Sequence, residues 1–285
     1  MKIGIMGLIA SDLSDVDYNL IRKAADWGFR GLGAHLTVPA ETIPLDRAKN
    51  ARAIMDDVGL EFLQLWGGYP CIISPDESVR RAGIAQAQQI VKLAAAMRAP
   101  ASGVRPTSLN PRGDWWPHPD NYKPETEDRL VDSLKEILKA ASDFGINIVL
   151  ETHVTTTLNS PASIRRAIER TGASNLKVNL DPVNFVGDLP TAFDPAPMIN
   201  QLFDTLEPFI DTVHVKDFYL EDRLTVHVTE TVPGTGIMDL DTVLRRVQQW
   251  NPAGYAMIEH LPVNLMPLAQ RNLAAKIQAL GLPLI

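Results

Sequence analysis

The chain has 285 residues, 45% of them hydrophobic, 21% charged and 6% aromatic, which excludes a disordered chain and leaves ample length to bury a core. Its 27 Lys and Arg stand against 34 Asp and Glu for a net charge of -7, so the basic footprint of a protein that grips a nucleic-acid backbone is missing and no nucleic-acid partner is expected. The single cysteine, Cys71, rules out an internal disulfide and a thiolate-rich zinc site, a usage that suits a reducing compartment and makes the cytoplasm the expected location.

Residues 2–7 read as a strand from the outset, without the basic start and longer apolar stretch of a signal peptide, and no run of about 18 apolar residues occurs further on, so neither export nor a membrane partner is expected. Helical periodicity follows over residues 15–27, then a strand over 31–36 and a helix over 45–58. The alternation continues with strand 61–67, helix 77–97, strand 101–105, helix 125–144, strand 146–151 and helix 161–170. It closes with strand 176–181, helix 196–206, strand 212–216, helix 240–250, strand 256–259 and helix 267–280. Ser160 before Pro161 is an N-cap with proline at the first helical position, and Gly28, Gly59 and Gly145 end helices shortly before the next strand.

Eight βα units without a composition break favour one α/β domain over residues 1–285, a single (β/α)8 TIM barrel, over an open doubly wound sheet. No Gly-x-Gly-x-x-Gly follows the first strand, so dinucleotide binding lacks its main signal. Two connections, residues 106–124 with Trp115 and Trp116 and residues 218–239 with His227 and Glu230, leave the C-terminal ends of strands and are long enough for a lid or substrate wall. An ordinary surface loop with an aromatic folded beneath it is the alternative for the tryptophans.

Four polar residues end four successive apolar strands: Glu151, Asp181, His214 and Glu259. Their separations of 30 (151 to 181), 33 (181 to 214) and 45 (214 to 259) are close to one βα unit each, the last stretched by the long loop. In a barrel this register brings all four to the C-terminal mouth. Three carboxylates and an imidazole cannot share a buried site cheaply unless a cation offsets their charge. Mostly oxygen donors with one nitrogen point to one divalent metal ion, with Mn²⁺ favoured, Mg²⁺ or Co²⁺ equally compatible in donor type, and Zn²⁺ able to enter by affinity order.

The stretches Leu150-Glu151-Thr152-His153, Asn159-Ser160-Pro161 and Asn175 to Phe185 resemble the fifth and sixth units of the sugar phosphate isomerase/epimerase superfamily, the xylose isomerase-like TIM barrels or AP endonuclease 2 family. The resemblance continues at Val213-His214-Val215-Lys216-Asp217, Pro233-Gly234-Thr235-Gly236 and Ile258-Glu259-His260. It implies a mononuclear metal site of Glu151, Asp181, His214 and Glu259, with the two glutamates as an acid/base pair on opposite faces of a substrate, and it carries the expectation of homo-oligomers, since dimers and tetramers are common in the family. The activity implied is a metal-dependent isomerase or epimerase of a small sugar, keto-sugar or sugar derivative, working through a metal-stabilised enediolate. A metal-dependent dehydratase or lyase of a keto-acid or cyclic keto-polyol, like the dehydroshikimate and inosose dehydratases, shares the same first step. The endonuclease IV branch is disfavoured because Asn184 stands where that branch has a histidine and the Asp-x-His pair after strand seven is missing.

Further candidates surround this set. His153, two after Glu151, could shuttle a proton, bind a hydroxyl, or simply bond a loop carbonyl. Lys216 could stabilise developing negative charge or pair with Asp217. Arg105, and Arg112 beyond it, could grip a carboxylate or phosphate or instead hold the lid. Trp66 is a candidate sugar-stacking platform or a plug of the barrel rim, Trp115 a candidate substrate contact from the lid or substrate wall, Asn184 a ligand to a substrate hydroxyl or a loop cap, and the Pro233 to Gly236 turn a weak phosphate cradle.

Overall fold

The computed structural model describes residues 1–285. Seven strands come first: β1 (Lys2–Ser11), β2 (Gly31–Leu36), β3 (Glu61–Gly67), β4 (Ala101–Val104), β5 (Asn147–Leu150), β6 (Leu176–Leu180) and β7 (Ile210–Val215). A short hairpin, β8 (Asp217–Leu220) and β9 (Val228–Thr231), precedes the last barrel strand, β10 (Tyr255–Ile258). The eight parallel strands close in the order β1-β10-β7-β6-β5-β4-β3-β2, and helices surround them, so the fold is a (β/α)8 TIM barrel.

The helices are α1 (Tyr18–Asp26), α2 (Leu45–Val58), α3 (Glu77–Ala96), α4 (Pro124–Phe144), α5 (Pro161–Thr171), α6 (Leu189–Phe193), α7 (Ala196–Leu206), α8 (Leu240–Trp250) and α9 (Met266–Ala279). Their boundaries follow the sequence punctuation. Ser160 and Ser163 form a reciprocal capping box at the start of α5, and Gly59 and Gly145 adopt the left-handed conformation that stops α2 and α4. No helix is long and apolar enough to cross a membrane.

Three features depart from the sequence expectation. Strand β1 runs on to Ser11, because Gly7 takes φ +87°, a left-handed value a side chain would resist, and the register against β2 shifts between Ile5 and Ile9. The long connection after β7 carries the β8–β9 hairpin, and α6 is an additional one-turn helix capped by Asp188.

Two apolar clusters hold the barrel. The larger, 72 buried residues, lies between strands and helices. The smaller, formed by Met6, Leu63, Trp66, Ala101, Val149, Tyr255 and Met257, draws on five strands and packs the interior. Gln64, Asn179 and Thr212 add a buried polar group to that interior: Thr212 Oγ1 donates to Asn179 Oδ1 at 2.6 Å, and Trp66 Nε1 donates to Gln64 Oε1 at 2.8 Å. Gln64 Nε2 in turn donates to Thr212 Oγ1.

Candidate active site

Glu151, Asp181, His214 and Glu259 come from the C-terminal ends of β5, β6, β7 and β10, and one ligand atom from each lies within 4.8 Å of all the others. All four side chains are buried. The convergence is a direct result of strand register: an apolar run fixes each strand between barrel and helices, and the last inward-facing position, just beyond β5, β6 and β10 and next to last in β7, turns its side chain over the mouth.

Asn179 braces two of the four. Its Nδ2 donates to Glu151 Oε2 at 2.9 Å and stands 3.0 Å from His214 Nε2, so the imidazole is held with Nδ1 toward the centre, 3.0 Å from Glu259 Oε1. Asn184 Nδ2 donates to Glu151 Oε1 at 3.1 Å and to the Thr152 carbonyl at 3.2 Å. Asn184 therefore orients a glutamate, and it also lines a side cavity of about 190 Å³ with His153 and Lys216.

Lys216 does not pair with Asp217. Its Nζ lies 2.7 Å from both Asp181 Oδ2 and Glu259 Oε1, while Asp217 accepts the backbone N–H groups of Gly234 and Gly236 at 2.9 Å and of Met238 at 3.0 Å. Neighbouring residues in an extended segment point opposite ways, so Lys216 faces the mouth and Asp217 faces the loop. Gly236 is needed there, because a Cβ would fall 2.2 Å from the Phe218 carbonyl oxygen. The turn's amides are thus occupied by the protein's own carboxylate.

The donor set fits a divalent cation. Asp181 Oδ2, His214 Nδ1 and Glu259 Oε1 are buried without an aligned hydrogen bond, even though the Lys216 ammonium approaches two of them. One lysine cannot neutralise three carboxylates, and three oxygens with one imidazole nitrogen match the hard divalent ions. Burial, opposed by Lys216 and assisted by Glu259 and Glu151, pushes the Asp181 carboxyl up to about 7. Burial would raise Glu259 too, but His214, Lys216 and His260 hold it well below the usual range.

A pH dependence follows. Metal-free protein is expected to bind a proton at Asp181 below pH about 7, and His214, whose pKa burial lowers but Glu259 and Glu151 raise above its usual value, must also be neutral to ligate, so cation uptake releases protons and apparent affinity falls at least about tenfold per pH unit below pH about 7. The raised carboxyl also contributes metal-free stability that is complete below the unfolded value of 3.8 and lost as pH rises through about 7. Calorimetric cation titrations across this range, in buffers of different ionisation enthalpy, would measure both affinity and proton release. A flat affinity profile would contradict the placement of Asp181.

A cavity of about 300 Å³ opens beside the cluster, lined by Glu151, His214 and Glu259 on one side and by Met6, His35, Trp66, Arg105, Asp114, Trp115 and His260 on the others. Trp66 both packs the barrel interior and forms the cavity wall, with its ring lying against Gly103, and Trp115 bounds both cavities. His153 meets Trp115 edge-on at 6.3 Å, and its Nδ1 accepts from Thr155 N at 3.1 Å, which leaves Nε2 as the protonated nitrogen of the neutral ring. Burial, with Lys216 nearby, pushes His153 down to about 4. Arg105 is already engaged: Nε and Nη2 reach Asp114 Oδ2 at 2.5 Å and Nη1 donates to the Gly67 carbonyl at 2.8 Å. Arg112 stacks on Trp116, 4.3 Å from the ring centre, outside the cavity.

Sequence reasoning did not single out Asp114, His35, His260 or the bracing residue Asn179, and it noted Glu230 only as part of a loop. His260 Nδ1 sits 3.1 Å from Glu230 Oε2, and its Nε2 lies 3.8 Å from Glu259 Oε2. Its backbone is left-handed, φ 58°, a strained conformation for a residue with a Cβ and one that concentrates at functional sites.

The model of the xylose isomerase-like TIM barrels matches residues 21–279. The chain belongs to this family. As a xylose isomerase-like barrel it superposes on a D-tagatose 3-epimerase-like protein with a TM-score of 0.75, 20% identity and coverage of 99% of this chain and 98% of the other. A probable 3-DHS dehydratase from Bacillus anthracis gives 0.71 at 18% identity, covering 98% and 99%. A xylose isomerase-like TIM barrel protein from Mycobacterium smegmatis, in complex with magnesium, gives 0.70 at 17% identity, covering 98% and 96%. At these identities the likeness establishes the fold. A comparison with curated protein sequences gives no match.

Proposed function

We propose that the protein is a divalent-metal-dependent isomerase or epimerase of a small sugar, keto-sugar or sugar derivative, with manganese as the favoured ion and the cytoplasm, suggested by the lone free cysteine, as its place of work. The observation that carries this reading is the convergence of three carboxylates and one imidazole, incompletely partnered, beside a polar cavity large enough for a monosaccharide. Glu151, Asp181, His214 and Glu259 would hold the ion, which when bound polarises a carbonyl and acidifies the neighbouring C–H.

The protein's own groups then divide the proton work. Glu151 and Glu259 stand three steps apart around the eight-stranded ring, which puts a carboxylate on either flank of a substrate lying across the mouth. Glu259 keeps Oε2 outside the cluster, and that oxygen is the one available to take or return a proton. Lys216, 2.7 Å from both Asp181 and Glu259 and on the wall of the side cavity, would supply positive charge to offset the negative charge that develops on a carbonyl oxygen. His153 offers its Nε2–H to a substrate hydroxyl, and Trp66 and Trp115 supply apolar faces for sugar C–H groups.

The test is metal analysis of purified protein followed by a screen of ketoses in deuterated water. Carbon-bound deuterium in a product of otherwise unchanged composition is expected. Loss of water from the substrate would reassign the protein to the dehydratases, and full turnover after chelation would end the metal reading.

A further inference from the structure

Lys216 stands on the atoms a cation would take. Its Nζ lies 2.7 Å from both Asp181 Oδ2 and Glu259 Oε1, two of the three buried atoms in the cluster that lack an aligned hydrogen bond. A carboxylate oxygen ligates a divalent ion at about 2.0–2.2 Å, so an ammonium held against two such oxygens would meet a like charge at contact range. The lysine and the ion exclude one another from this position.

Lys216 has somewhere to go. Its Nζ already stands 3.3 Å from Asn184 Oδ1 and 3.6 Å from Glu230 Oε1, and cavities of about 190 and 230 Å³, both lined by Lys216 and Glu230, open beside it. A short swing of the four-carbon chain turns the longer approach into a hydrogen-bonded ion pair.

Glu230 sits on β9, and its bonds matter for the whole hairpin. From Glu221 to Glu230 no other side chain bonds to a residue outside the hairpin: Glu221 pairs with Arg223 and Thr229, and His227 with the Thr225 carbonyl. Glu230 alone reaches the barrel, through His260 Nδ1 at 3.1 Å and the looser contact with Lys216. Beyond it β9 is half exposed, and Leu224 at the tip is fully exposed.

We propose that Lys216 is a stand-in cation that a bound divalent ion displaces onto Glu230, which makes Glu230 a positioning residue that fastens the β8–β9 hairpin to the mouth in the loaded protein. This rests on the reading of the cluster as a metal site. Occupancy of four buried ligands is thereby passed to a segment that contains none of them.

The experiment is limited trypsin digestion of the full chain, chelator-treated or loaded with Mn²⁺, with mass spectrometry following cleavage after Arg223, whose side chain is half exposed. Amide exchange over residues 221–231 makes the same comparison without a protease. A hydrogen bond gained between charged groups should slow hairpin opening, so loaded wild type is expected to be cleaved about tenfold more slowly than metal-free protein. Glu230→Gln keeps all four ligands and should hold as much Mn²⁺, yet its loaded and metal-free forms should be cleaved at nearly the same rate. A merely structural Glu230 would speed cleavage of both forms alike and leave the ratio intact, and so would an ion that only stiffened the barrel as a whole. Lys216→Met should also lose the ratio; if that variant folds only when loaded, Glu230→Gln still decides the matter. Bound Mn²⁺ without slower cleavage in wild type, or a ratio that survives Glu230→Gln, would overturn the proposal while the metal site stands. Failure of wild type to bind Mn²⁺ would remove the metal reading, and this proposal with it.

Discussion

Glu151→Gln and Glu259→Gln, each verified to hold metal, are expected to lose turnover by about 10²–10⁴-fold while substrate affinity changes only a few-fold. Glutamine keeps a coordinating oxygen and nearly the same shape, but it cannot accept a proton at the carbon. The two variants should not be equivalent. Glu151 has both oxygens engaged, Oε2 by Asn179 and Oε1 by Asn184, whereas Glu259 has Oε2 beside His260 only. In an epimerase each variant would still exchange deuterium from the face served by the surviving glutamate, and net inversion would stop. Wild-type rates in both metal-loaded variants would remove the glutamates from the chemistry and turn attention to His153 and Lys216.

The second large effect concerns stability. Lys216 is buried, and although burial works against its charge, Asp181, Glu259, Glu151 and Glu230 hold its pKa well above the usual lysine value. Lys216→Met removes the lysine counter-charge that Asp181 and Glu259 share, a change that typically costs about 3–5 kcal/mol for a broken buried pair. At about 2 °C or more per kcal/mol this lowers the melting temperature of metal-free protein by roughly 10 °C. The loss should shrink below pH about 7, where Asp181 takes up a proton, and bound cation should recover most of it. Melting curves with and without chelator, at two pH values, measure all three effects. Equal melting temperatures for wild type and variant in the presence of chelator would show that Lys216 is not the internal counter-ion.

The barrel and the buried quartet that could hold a metal were legible in the sequence because both are written in short-range pattern. Strands β2 and β3 and helices α2, α7 and α8 coincide with their expected bounds, since apolar periodicity and flanking caps mark them locally. Glu151, Asp181, His214 and Glu259 stood out because a charged or imidazole side chain directly beyond an apolar strand is conspicuous. Asp114 and Glu230 were not legible as site residues: Asp114 sits on an irregular loop and Glu230 on the unforeseen strand β9, and the placement of each depends on contacts far away in sequence, such as Glu230 with His260, thirty positions on. The β8–β9 hairpin escaped because residues 221–227 between its strands are polar and longer than a tight turn, so no turn signal marks it. Arg105 does line the mouth cavity, but the carboxylate it grips, Asp114, belongs to the protein.

The polar chain through Gln64, Thr212 and Asn179 to Glu151 and His214 has an evolutionary consequence. Its members come from β3, β6 and β7, and each occupies another's hydrogen-bonding capacity, so a single apolar replacement strands a buried partner at about 1–3 kcal/mol. Replacing the three together with apolar residues of similar volume removes the orphans among themselves, leaving the lost partners of Trp66 Nε1, Glu151 Oε2 and His214 Nε2 as the remaining penalty. These positions should therefore show strong epistasis: double substitutions at Gln64 and Thr212 less harmful than the sum of the singles, and tolerated drift confined to coordinated changes. Selection for a new metal or substrate would reach this layer only through several residues changing at once, whereas the wall at Asp114 and Trp115 can be altered one residue at a time.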